Sequence, residues 1–370
     1  METIAQAEAK WPHLSSKVLE GDLRALVEEV ASEHPEFTGQ DPEDQNRFIE
    51  TMVDELTGYG PLTPYLNDSS ISEIMVNGTD QIYVERQGRL APVPDSFISE
   101  SQLMRVIKMI ISPLGRRIDE LHPMVDARLP DGSRINVAIP PIAIDGPYMT
   151  IRKFTKKVFT LTDLIKSGAI DRENAHLLST AVKNRETIIV SGGTGTGKTT
   201  MLNVLARFIP AEERIVTIED AAELRIERPH VVRLEARPPG PDGQGEITIR
   251  QLVRNALRMR PDRIIIGEVR GSETVDLVQA LNTGHRGSLS TVHAENPVQA
   301  LYRLETMTML AGYDIPLSVI RRQICGAVRY VVHLERDSSG QRRVSSITRI
   351  LGFDRGEYVL EDVYSARVAA

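Results

Sequence analysis

Thr187-Ile188-Ile189-Val190-Ser191-Gly192-Gly193-Thr194-Gly195-Thr196-Gly197-Lys198-Thr199-Thr200-Met201-Leu202-Asn203-Val204-Leu205-Ala206 is the stretch on which the reading of this chain turns. Gly192 to Thr199 satisfies G-x-x-x-x-G-K-[ST], a loop that holds the phosphates of a nucleoside triphosphate. The β-branched run before it predicts a buried strand and the residues after it a helix, the order the motif requires. The glycines let consecutive backbone N–H groups turn toward an anion, and the helix N-terminus adds partial positive charge. In this reading Lys198 reaches the β- and γ-phosphates and the Thr199 hydroxyl binds Mg²⁺. The plainer alternative is a glycine-rich turn, a chance match expected in roughly one chain of this size in a hundred. The flanking strand and helix speak against it.

The 370 residues are enough for two domains, each with its own core. Hydrophobic residues make up 41% and charged residues 26%, as in ordinary globular proteins. No apolar run reaches membrane-spanning length, and the N-terminus lacks the basic-then-apolar pattern of a secretory signal, so the expected compartment is the cytoplasm. A single cysteine, Cys325, excludes an internal disulfide and a multi-cysteine zinc site. The formal charge of −7 argues against a protein that coats nucleic acid or binds anionic membrane unaided. A membrane location would then come through a protein partner.

Residues 1–58 read as a helical segment, with one apolar stripe at Leu23, Leu26, Val27 and Val30 and another at Phe48, Ile49, Met52, Val53 and Leu56. Residues 32–44 between them read as a loop, and Gly58-Tyr59-Gly60-Pro61 stops the second helix. Residues 59–153 become short alternating strands, among them 74–78, 81–85 and 134–138, interrupted by a helix over 100–111. Asp131-Gly132-Ser133 reads as a hairpin turn, and the domain as α+β. The lysine-rich, aperiodic 154–160 is the candidate linker. From 161 to 370 helices and strands alternate. Strands are expected at 187–191, 214–218, 231–235, 263–267, 288–292, 328–334 and 344–352. The expected fold is α/β: a parallel sheet covered on both faces, with ligand at the carboxyl ends of its strands.

Hydrolysis needs more than a phosphate loop, and three segments offer it. Arg214-Ile215-Val216-Thr217-Ile218 ends in Glu219-Asp220, with Glu223 beyond. A carboxylate at that strand tip can take a proton from attacking water; equally, Asp220 and Glu223 suit a helix N-cap and first turn. The second strand, Arg263 to Gly267, ends in Glu268, the pattern that places a carboxylate beside Mg²⁺. His285 and His293 bracket a third strand and could sense the γ-phosphate, though a satisfied structural histidine is the default for either. Arginines surround these segments, and an arginine from a neighbouring subunit can accelerate phosphoryl transfer by about 10³–10⁵.

Together these residues resemble the type II/IV secretion superfamily ATPases, most closely those of tight-adherence (Flp, type IVc) pilus assembly. The likeness runs from Gly58-Tyr59-Gly60-Pro61-Leu62 and Ile71 to Gly78, through Val125 to Asn136 and Thr150 to Phe154. It continues through Glu219-Asp220 with Glu223 (an Asp box), Gly267 to Gly271 (a Walker B element), and Thr283-Gly284-His285 with His293-Ala294 (a His box). It implies a RecA-like C-terminal domain and a PAS-like N-terminal domain. It also implies an ATP-hydrolysing homo-hexamer acting on inner-membrane pilus platform proteins from the cytoplasmic face, without direct nucleic-acid contact. A conjugation-type secretion ATPase moving protein or DNA is the rival. By this likeness Glu219 activates water, Glu268 supports Mg²⁺ through water, and His293 stabilises the γ-phosphate. Arg128, Arg134 and Arg152 reach phosphates across a domain or subunit boundary, and Arg258 is a further arginine of the site. Gly192 to Thr200 bind ATP and Mg²⁺. Glu295 departs from the pattern, standing where many relatives carry Asn. Nucleic-acid translocases and small-molecule kinases share the loop; the acidic composition weighs against the first and the N-terminal motifs against the second.

Lys198→Ala is expected to abolish ATP turnover while thermal melting stays within a few degrees of wild type. A variant that turns over ATP normally would remove the phosphate-loop assignment.

Overall fold

In a computed structural model, residues 20–32, 41–46, 49, 53, 58–86, 88–154, 159–240, 243–337 and 340–366 are described. The chain divides into two compact units, Met1–Thr155 and Lys156–Ala370. Of the N-terminal stripes, Val27, Val30, Ile49 and Val53 are buried. The side chains of Leu23 and Leu26, residues Phe48, Met52 and Leu56, and most of the expected 32–44 loop lie outside the described set.

The first unit contains helix α1 (Glu20–Ser32), α2 (Thr63–Asn67) and α3 (Glu100–Ile111). Its sheet comprises β1 (Ile71–Asn77), β2 (Gln81–Arg86), β3 (Arg89–Pro92), β4 (Met124–Arg128), β5 (Arg134–Ala138) and β6 (Tyr148–Arg152). These form one six-stranded sheet in the order β3-β2-β1-β6-β5-β4, antiparallel throughout. Alternation sets its register: Ile74 and Val76, Ile82 and Val84, Ile135 and Val137, and Met149 and Ile151 all enter one core. A slip of one residue would turn each strand's apolar set to the other face. Leu103, Val106, Ile107, Ile110 and Ile111 of α3 recur at helical spacing and join the same core. Ser99 caps that helix by accepting from the Gln102 N–H at 3.2 Å. The expected turn at Asp131-Gly132-Ser133 is present, with Gly132 at φ +94° and Asp131 Oδ1 accepting from the Ser133 N–H at 2.9 Å.

The second unit contains α4 (Leu161–Lys166), α5 (Arg172–Lys183), α6 (Lys198–Ala206), α7 (Ile249–Ala256), α8 (Glu273–Asn282), α9 (Pro297–Met309) and α10 (Leu317–Ala327). Its strands are β7 (Ile188–Gly192), β8 (Ile215–Glu219), β9 (Val231–Glu235), β10 (Arg263–Ile266), β11 (Leu289–His293), β12 (Tyr330–Arg336), β13 (Arg342–Asp354) and β14 (Glu357–Ser365). They form an eight-stranded sheet, β14-β13-β12-β7-β11-β10-β8-β9. Strands β7, β8 and β10 are buried along their whole length, which explains their unbroken apolar runs. One core joins Ile189, Ile218, Ile264 and Val292 to α7, α8, α9 and α10; a second joins Ile188, Val190, Ile215 and Ile265 to α5 and α6. Helices therefore cover both faces.

The sheet is not wholly parallel, contrary to expectation: β13 and β14 run antiparallel on the β12 edge. The sequence hides this hairpin because its turn is Arg355-Gly356, with φ +48° and +90°. Such a turn needs two positive φ values and normally announces itself as Asn-Gly.

Arg263, at the amino end of β10, has no exposed surface. Its guanidinium donates to the Gly287 carbonyl at 2.7 Å and the Val182 carbonyl at 2.9 Å, and pairs with Glu213. Arg185 Nε donates to the same carboxylate at 3.1 Å. Removing Glu213 would strand a buried cation, so Glu213→Ala should cost about 3–5 kcal/mol in denaturant unfolding; a loss below about 1 kcal/mol would contradict this account of the pair.

Candidate nucleotide site

The parallel order brings separate sequence segments to one edge. β7 lies between β11 and β12, with His293 paired to Gly192 and Leu334 paired to Gly192 from the other side. β10 lies between β11 and β8. The phosphate loop, Glu219, Glu268 and His293 therefore all stand at carboxyl ends of parallel strands, where α/β sheets bind ligands.

The loop depends on glycine. Gly192 has φ +152°, and a Cβ there would lie 2.4 Å from the Leu334 carbonyl oxygen and 2.7 Å from Thr196 Oγ1. Gly195 and Gly197 have φ of +71° and +95°, a region L side chains rarely enter. Gly197 begins α6, and Lys198 and Thr199 are its first residues. Lys198 Nζ donates to the carbonyls of Gly192 at 3.0 Å and Gly193 at 2.7 Å, so the ammonium lies inside the loop. A cleft of about 330 Å³ opens beside it, lined by Gly193, Thr196, His293, Glu295, His333 and Arg336 among others.

Glu219 ends β8 and is only 3% exposed. Its Oε1 accepts from the N–H groups of Glu223 and Leu224, both at 2.9 Å. Its Oε2 is buried without a hydrogen-bond partner among the described residues. Burial pushes the carboxyl up to about 7, against the pull of the two N–H donors and Arg233. Gly267 makes room for it: a Cβ there would lie 2.9 Å from Glu219 Cγ. The alternative reading of Asp220 and Glu223 as helix cap and first turn fails, because no helix lies between β8 and β9.

Glu268 follows β10 and accepts from Arg270 Nη2 at 2.7 Å; Arg270 Nη1 lies 3.5 Å from Asp220. Burial alone would raise the Glu268 carboxyl, but Arg270, Lys198 and His293 together hold it below the usual range. Those influences put Glu268, Lys198 and His293 in one electrostatic neighbourhood. The segment is pinned by Thr291 Oγ1 donating to the Gly267 carbonyl at 2.6 Å, and by Glu273 Oε1 accepting from the Arg270 and Gly271 N–H groups at 2.7 and 2.8 Å. Glu273 carries no motif letter in the sequence, so this support was not legible there.

The residues suit a triphosphate with Mg²⁺: an inward-turned glycine loop, a lysine within it, a hydroxyl in the first helical turn, and two carboxylates of opposite pKa tendency. Mg²⁺ commonly takes substrate phosphates and few protein groups, and among the described residues no cluster of three or more His, Cys, Asp or Glu forms.

His285 stands apart from this site. It lies before the amino end of β11, with Nδ1 3.3 Å from the Ala280 carbonyl oxygen at the end of α8. Arg258 lies between α7 and the amino end of β10, exposed, donating to the Arg254 carbonyl at 3.1 Å. Within one chain it is therefore at the opposite end of the strands from the phosphate loop. In the first unit, Arg128 is paired with Arg134, Arg134 with Arg152, and Arg152 with Glu73. Directly paired residues project from the same side of a sheet. The three arginines thus form one row, on the face turned away from the α3 core.

The family model described as "Type II/IV secretion system protein" matches residues 55–356. A putative conjugal transfer protein of Mycobacterium tuberculosis is 40% identical over 305 residues, 81% of this chain and 86% of that one. The conjugal transfer protein TrbB of Rhizobium radiobacter is 32% identical, over 85% of this chain and 94% of its own. The ATPase DotB of Legionella pneumophila shares the fold, with a TM-score of 0.56 and 22% identity over 77% of this chain and 78% of that one. The chain belongs to the type II/IV secretion system protein family. These relatives do not single out the tight-adherence branch.

Protonation of Glu219 should be visible in stability. Its folded pKa, about 7, lies above the ordinary 4.5. The folded state thus binds the proton more tightly, and wild type loses stability as pH rises from about 4.5 through 7. Glu219→Gln has no such loss. Relative to wild type it should gain roughly 2–3 kcal/mol between pH 5 and pH 8, read from nucleotide-free unfolding curves; a pH-independent difference would refute the raised pKa.

Proposed function

We propose that this ATPase is a motor of a secretion or pilus machine, working as a homo-hexameric ring that couples ATP turnover to movement of an inner-membrane partner. The observation that carries the reading is Glu219, whose carboxylate has one oxygen pinned by two backbone N–H groups and the other without a partner among the described residues, at the sheet edge that also carries the phosphate loop. A carboxylate near pKa 7 is matched to accept a proton near neutral pH.

On ATP binding, Lys198 exchanges the carbonyls of Gly192 and Gly193 for phosphate oxygens. Thr199 and Glu268 would hold Mg²⁺, which would supply charge neutralisation on the phosphates. Glu219 takes the proton of the attacking water, and His293 contacts the γ-phosphate. Arg128, Arg134 and Arg152 supply positive charge from the first unit, of the same or a neighbouring subunit, and Arg258 does so from a neighbour. What supports this is their cross-strand row, which gathers three guanidinium groups on one face of the sheet. The first unit is read as PAS-like and the second as RecA-like.

The names of the relatives favour conjugation-type transfer as the process served. Tight-adherence pilus assembly is the second reading, supported by the ordered motifs from Gly58 to Ala294. Glu219→Gln should retain ATP binding while kcat falls at least about 100-fold; normal turnover would move the base role to Glu268. Deleting the gene should abolish substrate transfer between cells under the first reading. Loss of surface pili with transfer intact would select the second, and no defect in either would reject both.

A further inference from the structure

His333 is a buried imidazole in an apolar strand, 3% exposed beside Val331, Val332 and Leu334. Burying such a polar group is unfavourable unless it is hydrogen-bonded. Its hydrogen bond leads to the nucleotide edge. His333 is register-paired with Ser191, and Ser191 Oγ lies 2.9 Å from its Nδ1. Ser191 immediately precedes Gly192, and on its other side is paired with Val292, the residue before His293. The residue also lines the cleft beside the phosphate loop together with His293 and Glu295, and burial pushes its pKa below that of an ordinary histidine. A neutral imidazole has one donor and one acceptor. Glu335 Oε1 lies 3.8 Å from Nε2. The side chain thus starts on β12, contacts the end of β7, and shares a cleft with the segment that follows β11.

We propose that His333 is a positioning residue: by binding Ser191 at the end of β7 and filling the cleft wall it shares with His293 and Glu295, it makes the phosphate loop and the His293–Glu295 segment close on the γ-phosphate as one unit. The proposal rests on the reading of His293 as a γ-phosphate contact. His333 acts only through those neighbours. Its loss should therefore spare ATP affinity and slow chemistry, where small misplacements cost most.

The test is a double-mutant cycle in steady-state ATPase assays on the full chain. His333→Ala should lower kcat about 10–100-fold with KM for ATP changed less than about threefold. His333→Asn, which keeps a polar group near the Nδ1 position, should recover most of the loss. His293→Ala should also lower kcat, and the double variant should be no worse than the weaker single by more than about twofold, because coupled residues are non-additive. Strictly additive losses, or wild-type kcat in His333→Ala, would overturn the proposal alone. Wild-type kcat in His293→Ala would overturn the γ-phosphate reading and the proposal with it. If His333→Ala does not fold, the Ser191→Ala and His293→Ala cycle decides by the same criterion, coupling supporting the proposal and additivity overturning it.

Discussion

Parallel pairing of β8, β10, β11 and β7 is the constraint on which the site depends. Strands β7, β8 and β10 are buried throughout and β11 in all but its last residue, and the register of one against the next brings Glu219, Gly267, His293 and Gly192 to the same edge. Parallel strands need long crossovers, so residues that meet there are widely separated in the chain. Burial on both faces is what permits such a sheet, and the two cores on either side supply it. The site inherits its rigidity from this packing.

At that edge the chemistry is arranged by contrast between two carboxylates. Glu219 is sealed from water and prefers its proton. Glu268, beside Arg270, Lys198 and His293, prefers its charge. One fold thus holds a group fitted to accept a proton next to one fitted to support a cation. Gly267 links the two, preceding Glu268 in the chain and leaving the space that Glu219 Cγ fills. A side chain there would have to displace the buried carboxylate.

The first unit follows a different logic. Its sheet is antiparallel, covered on one face by α3, and period-2 alternation frees the other face for polar residues. The arginine row is a direct result: Ile135 and Ile151 face the core, so Arg134 and Arg152, one residue away in each strand, must face outward together. Stability on one side of the sheet and a row of three arginines on the other come from the same register.

Much of this could be read from the sequence. The phosphate loop, the buried strands and the α3 stripe follow from local pattern, because glycine freedom, β-branching and helical spacing are properties of neighbouring residues. Glu219, Glu268 and His293 were legible as strand-end residues for the same reason. What the sequence left open needed distant partners. Whether Glu219-Asp220 began a helix, and which of His285 and His293 lay near the loop, were settled by strand order and direction. The β13–β14 hairpin was hidden by an atypical turn. His333 looked like one more residue of an apolar strand, since its side-chain partner, Ser191, lies 142 residues away. By itself the sequence determined which elements form and that a triphosphate loop lies among them. Only the tertiary structure decided which side chains share an edge, because that depends on the order, direction and register of strands brought together from separate parts of the chain.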